Sequence, residues 1–172
     1  MLAFVNTHVS GGGRPELFSD GIALTRWFDE HDLPVDPGEV TDSDAARARG
    51  LRDALATLLQ AHAADVDQAE LAAAELHLRT NAESLPLVVL IDSETSRLHP
   101  AQTGVDGAFA AVLAAVATTT ATGQWTRLKM CKNPPCHTGF VDKTKNSAGR
   151  FCSTQCGSQL TMRAYRSRLK SK

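Results

Sequence analysis

The sequence predicts an α+β protein in two parts: an α-rich N-terminal domain with one small β-hairpin or sheet, and a C-terminal finger of hairpin and basic helix. Three observations predict it. All four cysteines of the 172-residue chain lie between Cys131 and Cys156. Residues 1–126 carry 7 Arg and no Lys against 18 acidic residues, a net of −11, while residues 127–172 carry 11 Lys and Arg against one acid, Asp142, a net of +10. Apolar residues follow a helical period through most of the acidic part and a strand-like run in one stretch. So sharp a change of composition marks a boundary, giving domains 1–126 and 127–172.

Taken in order, Ala3–Asn6 reads as a short first strand, and Ser10 to Pro15, with Gly11–Gly13, as a loop. Ser19 and Asp20 offer N-cap chemistry to a helix over residues 20–31, with Ile22, Leu24, Trp27 and Phe28 on its apolar side. Thr41, Ser43 and Asp44 lead into the longest helical signal, in which Leu51, Leu55, Leu58 and Leu59 form a stripe. Asp67 to Arg79 repeats the pattern through Leu71, Ala74 and Leu78. LPLVVLID is then a strand, DSET a turn, SRLHP a partner strand and GVDGAFAAVLAAVATTT a helix of small residues.

Composition narrows the function. With 42% hydrophobic and 22% charged residues the chain has the make-up of a globular protein. No run of apolar residues reaches the ~18 of a membrane span, and the start MLAFVNTHVS has no secretory pattern, so the expectation is a cytoplasmic protein without membrane contact. No phosphate loop, nucleophile elbow or paired-carboxylate motif is present, and an enzyme is not expected. Asn6, Thr7, His8 and Arg52 suggest a polar ligand pocket at most, against a plainer reading as surface hydrogen bonds and a helix-face arginine. His62, His77 and His99 lie far apart in sequence.

The cysteines carry the clearest chemistry. Four residues separate Cys131 from Cys136, fifteen follow before Cys152, and three separate Cys152 from Cys156. Two close pairs joined by a hairpin-length spacer suit structural Zn²⁺: four thiolates close a tetrahedron and leave no position for water. His137, beside Cys136, is an alternative fourth ligand. Disulfides and a thiol redox switch are the other readings; a reducing compartment opposes the first, and the second is compatible with zinc. Pro134-Pro135 stiffens the first turn, Thr138–Val141 and Arg150-Phe151 read as the two strands of a hairpin, and Ser153 caps a helix. Knuckle, hairpin and a helix bearing the last ligand is the order of a treble-clef-like finger.

Around the metal site Lys143, Lys145, Arg150, Arg163, Arg166, Arg168 and Lys170 form a basic surface. Arg163, Arg166 and Lys170, at i, i+3 and i+7, share one helix face. A unit of this charge is the footprint of a polyanion binder, so double-stranded DNA is the expected partner, with RNA, a solvated charged face and docking of the finger on the acidic domain as the alternatives. A homodimer is also compatible with the sequence.

These residues resemble the CGNR-type zinc finger of bacteria: a cysteine pair, Phe140-Val141-Asp142, a basic turn, then Arg150-Phe151-Cys152-Ser153 leading to Cys156-Gly157 and a basic helix. Upstream, FVNT, the Leu51-Arg52-Asp53-Ala54-Leu55 helix and the order of hairpin and helix are similar to the ABATE domain usually joined to that finger. The resemblance implies a stress-induced transcription regulator with zinc on Cys131, Cys136, Cys152 and Cys156, DNA binding by the finger, and an N-terminal domain that senses a ligand or mediates assembly. One departure stands out: Ser158-Gln159 occupies the place of the signature Asn-Arg. The runner-up is a protein-interaction or thiol redox-sensing module whose finger is structural.

Overall fold

The computed structural model describes residues 1–8 and 15–170, with Lys170 as backbone only. Most of the expected Ser10–Pro15 loop, and Lys172, lie outside the described residues. Among the described residues, six α-helices, two single-turn 3-10 helices and two small antiparallel sheets make up the fold. The helices are α1 (Leu2–Val5), α2 (Gly21–Glu30), α3 (Asp42–Ala61), α4 (Gln68–Glu83), α5 (Gly104–Ala121) and α6 (Thr154–Lys170), and the strands are β1 (Leu87–Ile91), β2 (Ser96–Pro100), β3 (Leu128–Met130) and β4 (Gly139–Val141).

Caps fix the helix starts. The Asp20 carboxylate accepts from Ala23 N at 2.8 Å, Thr41 and Asp44 close a capping box on α3, and Asp67 accepts from the amides of Ala69 and Glu70. Each cap satisfies donors that the first turn leaves unpaired. α3 is the hub, packed on α1, α2, α4 and β3. Its buried stripe runs through Leu51, Leu55 and Leu59, with Leu58 only half-buried. Aromatic rings extend this core: Phe4 and Phe18 lie 5.2 Å apart, Phe18 and Trp27 5.4 Å, and Phe28 and Phe109 5.9 Å.

Four expectations are corrected. Residues 3–6 are not a strand: Val5 N donates to Met1 O and Asn6 N to Leu2 O, closing a helical turn that buries the adjacent Phe4 and Val5 together. Alternation across a strand would point those two side chains to opposite faces. Ile22 is 77% exposed, because Leu24, Trp27 and Phe28 already fill the inward face of α2. Arg150-Phe151 is not a strand; the hairpin is β3 with β4, paired from Leu128↔Val141 to Met130↔Gly139. Lastly, α5 does have the length and apolarity of a membrane-crossing helix. It serves as a core helix here: Phe109, Ala110 and Val112 are buried, and Asp106 in its first turn pairs with Arg47 at 2.5 Å.

β1 and β2 pair from Leu87↔Pro100 to Ile91↔Ser96, and the Asp92 carboxylate closes their turn by accepting from Glu94 N and Thr95 N at 2.9 Å each. β2 lies on α5, while β1 is held chiefly by β2. The second hairpin is tied into the helical part. Leu128 and Met130 belong to the main core. The Asn6 amide donates to Gly139 O at 3.0 Å and accepts from Gly139 N at 2.7 Å, standing in for one residue of a neighbouring strand at the edge of β4. His62 Nδ1 donates to Leu128 O at 2.7 Å.

Candidate metal centre and nucleic-acid interface

The second hairpin delivers the first cysteine. Cys131 N donates to Thr138 O at 2.9 Å, extending the β3–β4 ladder by one step, and Cys136 N donates to Asn133 O at 2.8 Å, closing the knuckle between them. His137 takes the left-handed conformation there, with φ 44°. On the other side Cys152 precedes α6 and Cys156 lies in its first turn, where Ser153 Oγ accepts from Cys156 N at 3.2 Å. The four Sγ atoms lie within 4.8 Å of one another. Cys136 and Cys152 are 3.5 Å apart, Cys152 and Cys156 3.7 Å.

This donor set fits a tetrahedral dication. A Zn–S bond of about 2.3 Å gives tetrahedral edges of about 3.8 Å, close to the two sulfur separations. His137 is exposed and outside the thiol cluster. The thiols differ in acidity. Burial pushes Cys131 and Cys152 up, whereas the Asn133 side chain beside Cys156 brings that thiol down to about 7. Cys156 therefore supplies thiolate near neutral pH most readily, and a bound dication favours the thiolate form at all four.

A buried ion pair shapes the basic turn. Lys129 Nζ donates to Asp142 Oδ2 at 2.7 Å, with both side chains almost wholly buried. The same carboxylate accepts from Thr144 N, Thr144 Oγ1 and Gly149 N, while Lys129 also reaches the carbonyls of Ser147 and Gly149. The Lys129 ammonium and these donors hold the Asp142 carboxyl far below the usual range. Gly149 is needed for this closure, since a Cβ there would meet Asp142 Oδ1 at 2.5 Å. Lys143 and Lys145 project from the turn so formed, exposed, and Arg150 follows.

A second network orients α6. The buried Asn133 donates to Gln159 Oε1 at 3.0 Å and accepts from Arg163 Nη1 at 3.3 Å. Gln159 thus ties helix to knuckle. Arg166 and Arg168 are exposed, and the Arg168 Nε donates to Ala164 O at 3.3 Å; the side chain of Lys170 lies outside the described residues.

Residues 1–124 match the ABATE family, described as "Putative stress-induced transcription regulator", and residues 127–169 match the CGNR zinc finger. The chain belongs to the ABATE family. Among curated proteins no match is found. In this ABATE–CGNR chain, Cys131, Cys136, Cys152 and Cys156 come together as a candidate metal centre, while Asn6, Thr7 and Arg52 are engaged within the fold. Asn6 holds β4. Thr7 is buried with its hydroxyl on Phe4 O at 2.8 Å, and Arg52 is buried between Glu16 at 2.5 Å and Asp53 at 2.8 Å, near the Phe18 ring.

Sequence reasoning missed Lys129, Lys132 and Asn133, and singled out Gln159 only as a departure from the signature, without its tie to Asn133. Asp142 as the sole acid among eleven cations was a usable signal for an ion pair. Lys132, whose amide donates to Arg150 O at 2.9 Å, places a further cation beside Arg150. Asn133, hidden in a proline-rich knuckle, gave no signal by composition.

Proposed function

We propose that this protein is a non-catalytic transcription regulator that binds double-stranded DNA through its zinc-loaded finger. One observation carries the reading: α6 leaves the thiol cluster with Thr161 to Leu169 all exposed, displaying Arg163, Arg166 and Arg168, and no acidic residue follows Asp142. A cationic helix held at one end by a metal site has the size to enter a major groove, where arginines contact guanine edges and phosphates. Lys132, Lys143, Lys145 and Arg150 lie on the segments leading into it and add phosphate contacts. The N-terminal domain takes the sensing part. A groove of about 380 Å³ between Leu33, Leu98, His99, Pro100, Ala108 and Ala111 has the size and the apolar lining of a small-molecule site.

Titrating zinc-loaded full-length protein onto duplex DNA at several salt concentrations tests this. With four to six cations on phosphates, log K falls against log salt with a slope of about −4 to −5. Charge reversal at Arg163, Arg166 and Lys170 together abolishes binding. Salt-independent or absent binding by the wild type sinks the DNA reading. The exposed stripe of Met162, Tyr165 and Leu169, at i, i+3 and i+7, favours a second reading, in which α6 contacts an acidic protein surface. In that case the charge reversal removes a protein contact and leaves DNA affinity negligible throughout.

A further inference from the structure

A cleft of about 440 Å³ separates the end of α3 from the basic turn, and its two walls differ in chemistry. On the finger side stand Lys132, Arg150 and Ser147. The Lys132 amide donates to Arg150 O at 2.9 Å, which holds the two cations on adjoining segments. Neither side chain belongs to an ion pair among the described residues. Lys129, which also lines the cleft, is by contrast neutralised by Asp142 at 2.7 Å. Ser147 adds a buried hydroxyl with no partner among the described residues, an exception in folded proteins. On the other side α3 ends at Ala61, and the carbonyls of a helix's last turn have no partner within the helix. The exposed Asp65 lines that wall, as does His62, whose Nδ1 donates to Leu128 O at 2.7 Å and whose Nε2 is an acceptor in the neutral ring. The remaining lining is alanine and glycine, so an apolar ligand has little to bury against.

We infer that this cleft binds a small phosphorylated ligand that carries hydroxyl groups, of the class of a sugar phosphate. Its phosphate sits on Lys132 and Arg150 and its hydroxyls on the α3 side. The finger wall offers charge-assisted donors, which suit a phosphate. The α3 wall offers chiefly acceptors, at the negative end of a helix, which suit hydroxyl donors and oppose a bare anion. A sugar phosphate matches both walls at once, and the volume falls in the range of small-molecule sites. A DNA strand is a poorer occupant, because it would bring a run of phosphates against the acidic part of the chain, of net charge −11 over residues 1–126. The cleft is separate from the apolar groove between β2 and α5 and does not depend on DNA binding. Its occupant would nevertheless take up two cations assigned above to DNA phosphates, and would bridge α3 to the finger.

Amide chemical-shift perturbation on the zinc-loaded full chain is the test, with ribose 5-phosphate, inorganic phosphate and ribose as probes. Ribose 5-phosphate should shift the amides of residues 63–65 together with those of Lys132 and residues 147–150. It should bind about tenfold more tightly than inorganic phosphate, the worth of one or two hydrogen bonds, and ribose alone should shift neither wall. Lys132→Gln combined with Arg150→Gln should remove binding of both phosphorylated probes, with helicity and zinc content unchanged. Asp65→Ala, at an exposed position, should keep phosphate binding and erase the preference for ribose 5-phosphate. Unmoved cleft amides at millimolar ribose 5-phosphate overturn the inference. Equal affinity for the two phosphates, with shifts confined to the finger wall, overturns it as well and leaves those cations to the DNA backbone. The titrations contain no DNA, so their failure and that of the DNA reading are told apart.

Discussion

The helical part and the finger are held by different forces. Between α1 and α5 the cohesion is apolar, with Phe4, Phe18, Phe28, Phe109, Leu51, Leu55 and Leu59 almost fully buried in one cluster. Hydrophobic burial of this kind is non-directional and spread over many contacts. In the finger a few directional constraints replace it: four thiols, the Lys129–Asp142 pair and the Asn133 network. Beyond Met130 almost every large apolar residue is exposed or half-buried, with Met162, Tyr165 and Leu169 each at least 50% exposed. Losses in the first region should therefore be graded and global, and in the second abrupt and local.

Loss of the zinc proposed for the four thiols is the largest perturbation. Structural zinc contributes on the order of 10–16 kcal/mol to small metal-dependent folds, and the described finger has no comparable apolar reserve beyond β3. Chelation, or Cys136→Ser, should melt residues 131–170 while α2 to α5 keep their helicity. Amide hydrogen exchange with and without chelator would report this as protection lost only in the finger. A uniform loss across the chain would erase the contrast between the two regions.

Next comes the core. Phe109→Ala should cost about 3–5 kcal/mol, because the ring is fully buried against Phe28 and under the Arg47 guanidinium. Thermal unfolding should show one transition shifted for the whole molecule, since Leu128 and Met130 share that core. Zinc stoichiometry at low temperature should be unchanged.

Acid sharpens the comparison further. The Asp142 carboxyl has a folded pKa well below its unfolded value of about 3.9. A depressed folded pKa means its contribution is fully present above the unfolded value and is lost as pH falls from there toward the folded value. The stability gap between wild type and Asp142→Asn should accordingly be constant from neutral pH down to about pH 5 and narrow below about pH 4. Thermal denaturation at matched zinc over that range measures it. A gap that widens toward acid would mean the pair does not hold the basic turn.

How much of this was legible beforehand follows the same division. Helices α2 to α5 were readable because caps such as Asp20 and Thr41 and stripes such as Leu51–Leu55–Leu59 are local, and local sequence carries them. The cysteine cluster was readable because ligand spacing is nearly a geometric statement. What failed required partners distant in sequence. AFVN has strand composition, yet Phe4 and Val5 must both face α3 and its neighbours, which only a helical turn allows. Arg150-Phe151 looks like a strand, yet β3, 20 residues earlier, takes the place beside β4. Arg52 reads as a helix-face cation and is buried by Glu16, 36 residues away.

The smallest effect tests the seam between the regions. Asn6 makes two hydrogen bonds to Gly139, at 3.0 and 2.7 Å, and among the described residues no other side chain satisfies that piece of β4. Asn6→Ala leaves a partly buried N–H and C=O unpaired, at a cost of about 1–3 kcal/mol. Asn6→Asp keeps the acceptor for Gly139 N and loses the donor to Gly139 O, so it should fall between wild type and alanine. If the two regions are coupled mainly through the shared apolar core, both variants lower the melting temperature slightly and zinc affinity stays at the wild-type value. Should the seam be what holds the knuckle in place, zinc affinity drops with stability in the same order, wild type above Asp above Ala. A competition titration with a chromophoric chelator separates the two. The second outcome would make α1, four residues long, part of the metal site's support, because Gly139 lies three residues beyond Cys136 and one beyond the Thr138 carbonyl that receives Cys131 N.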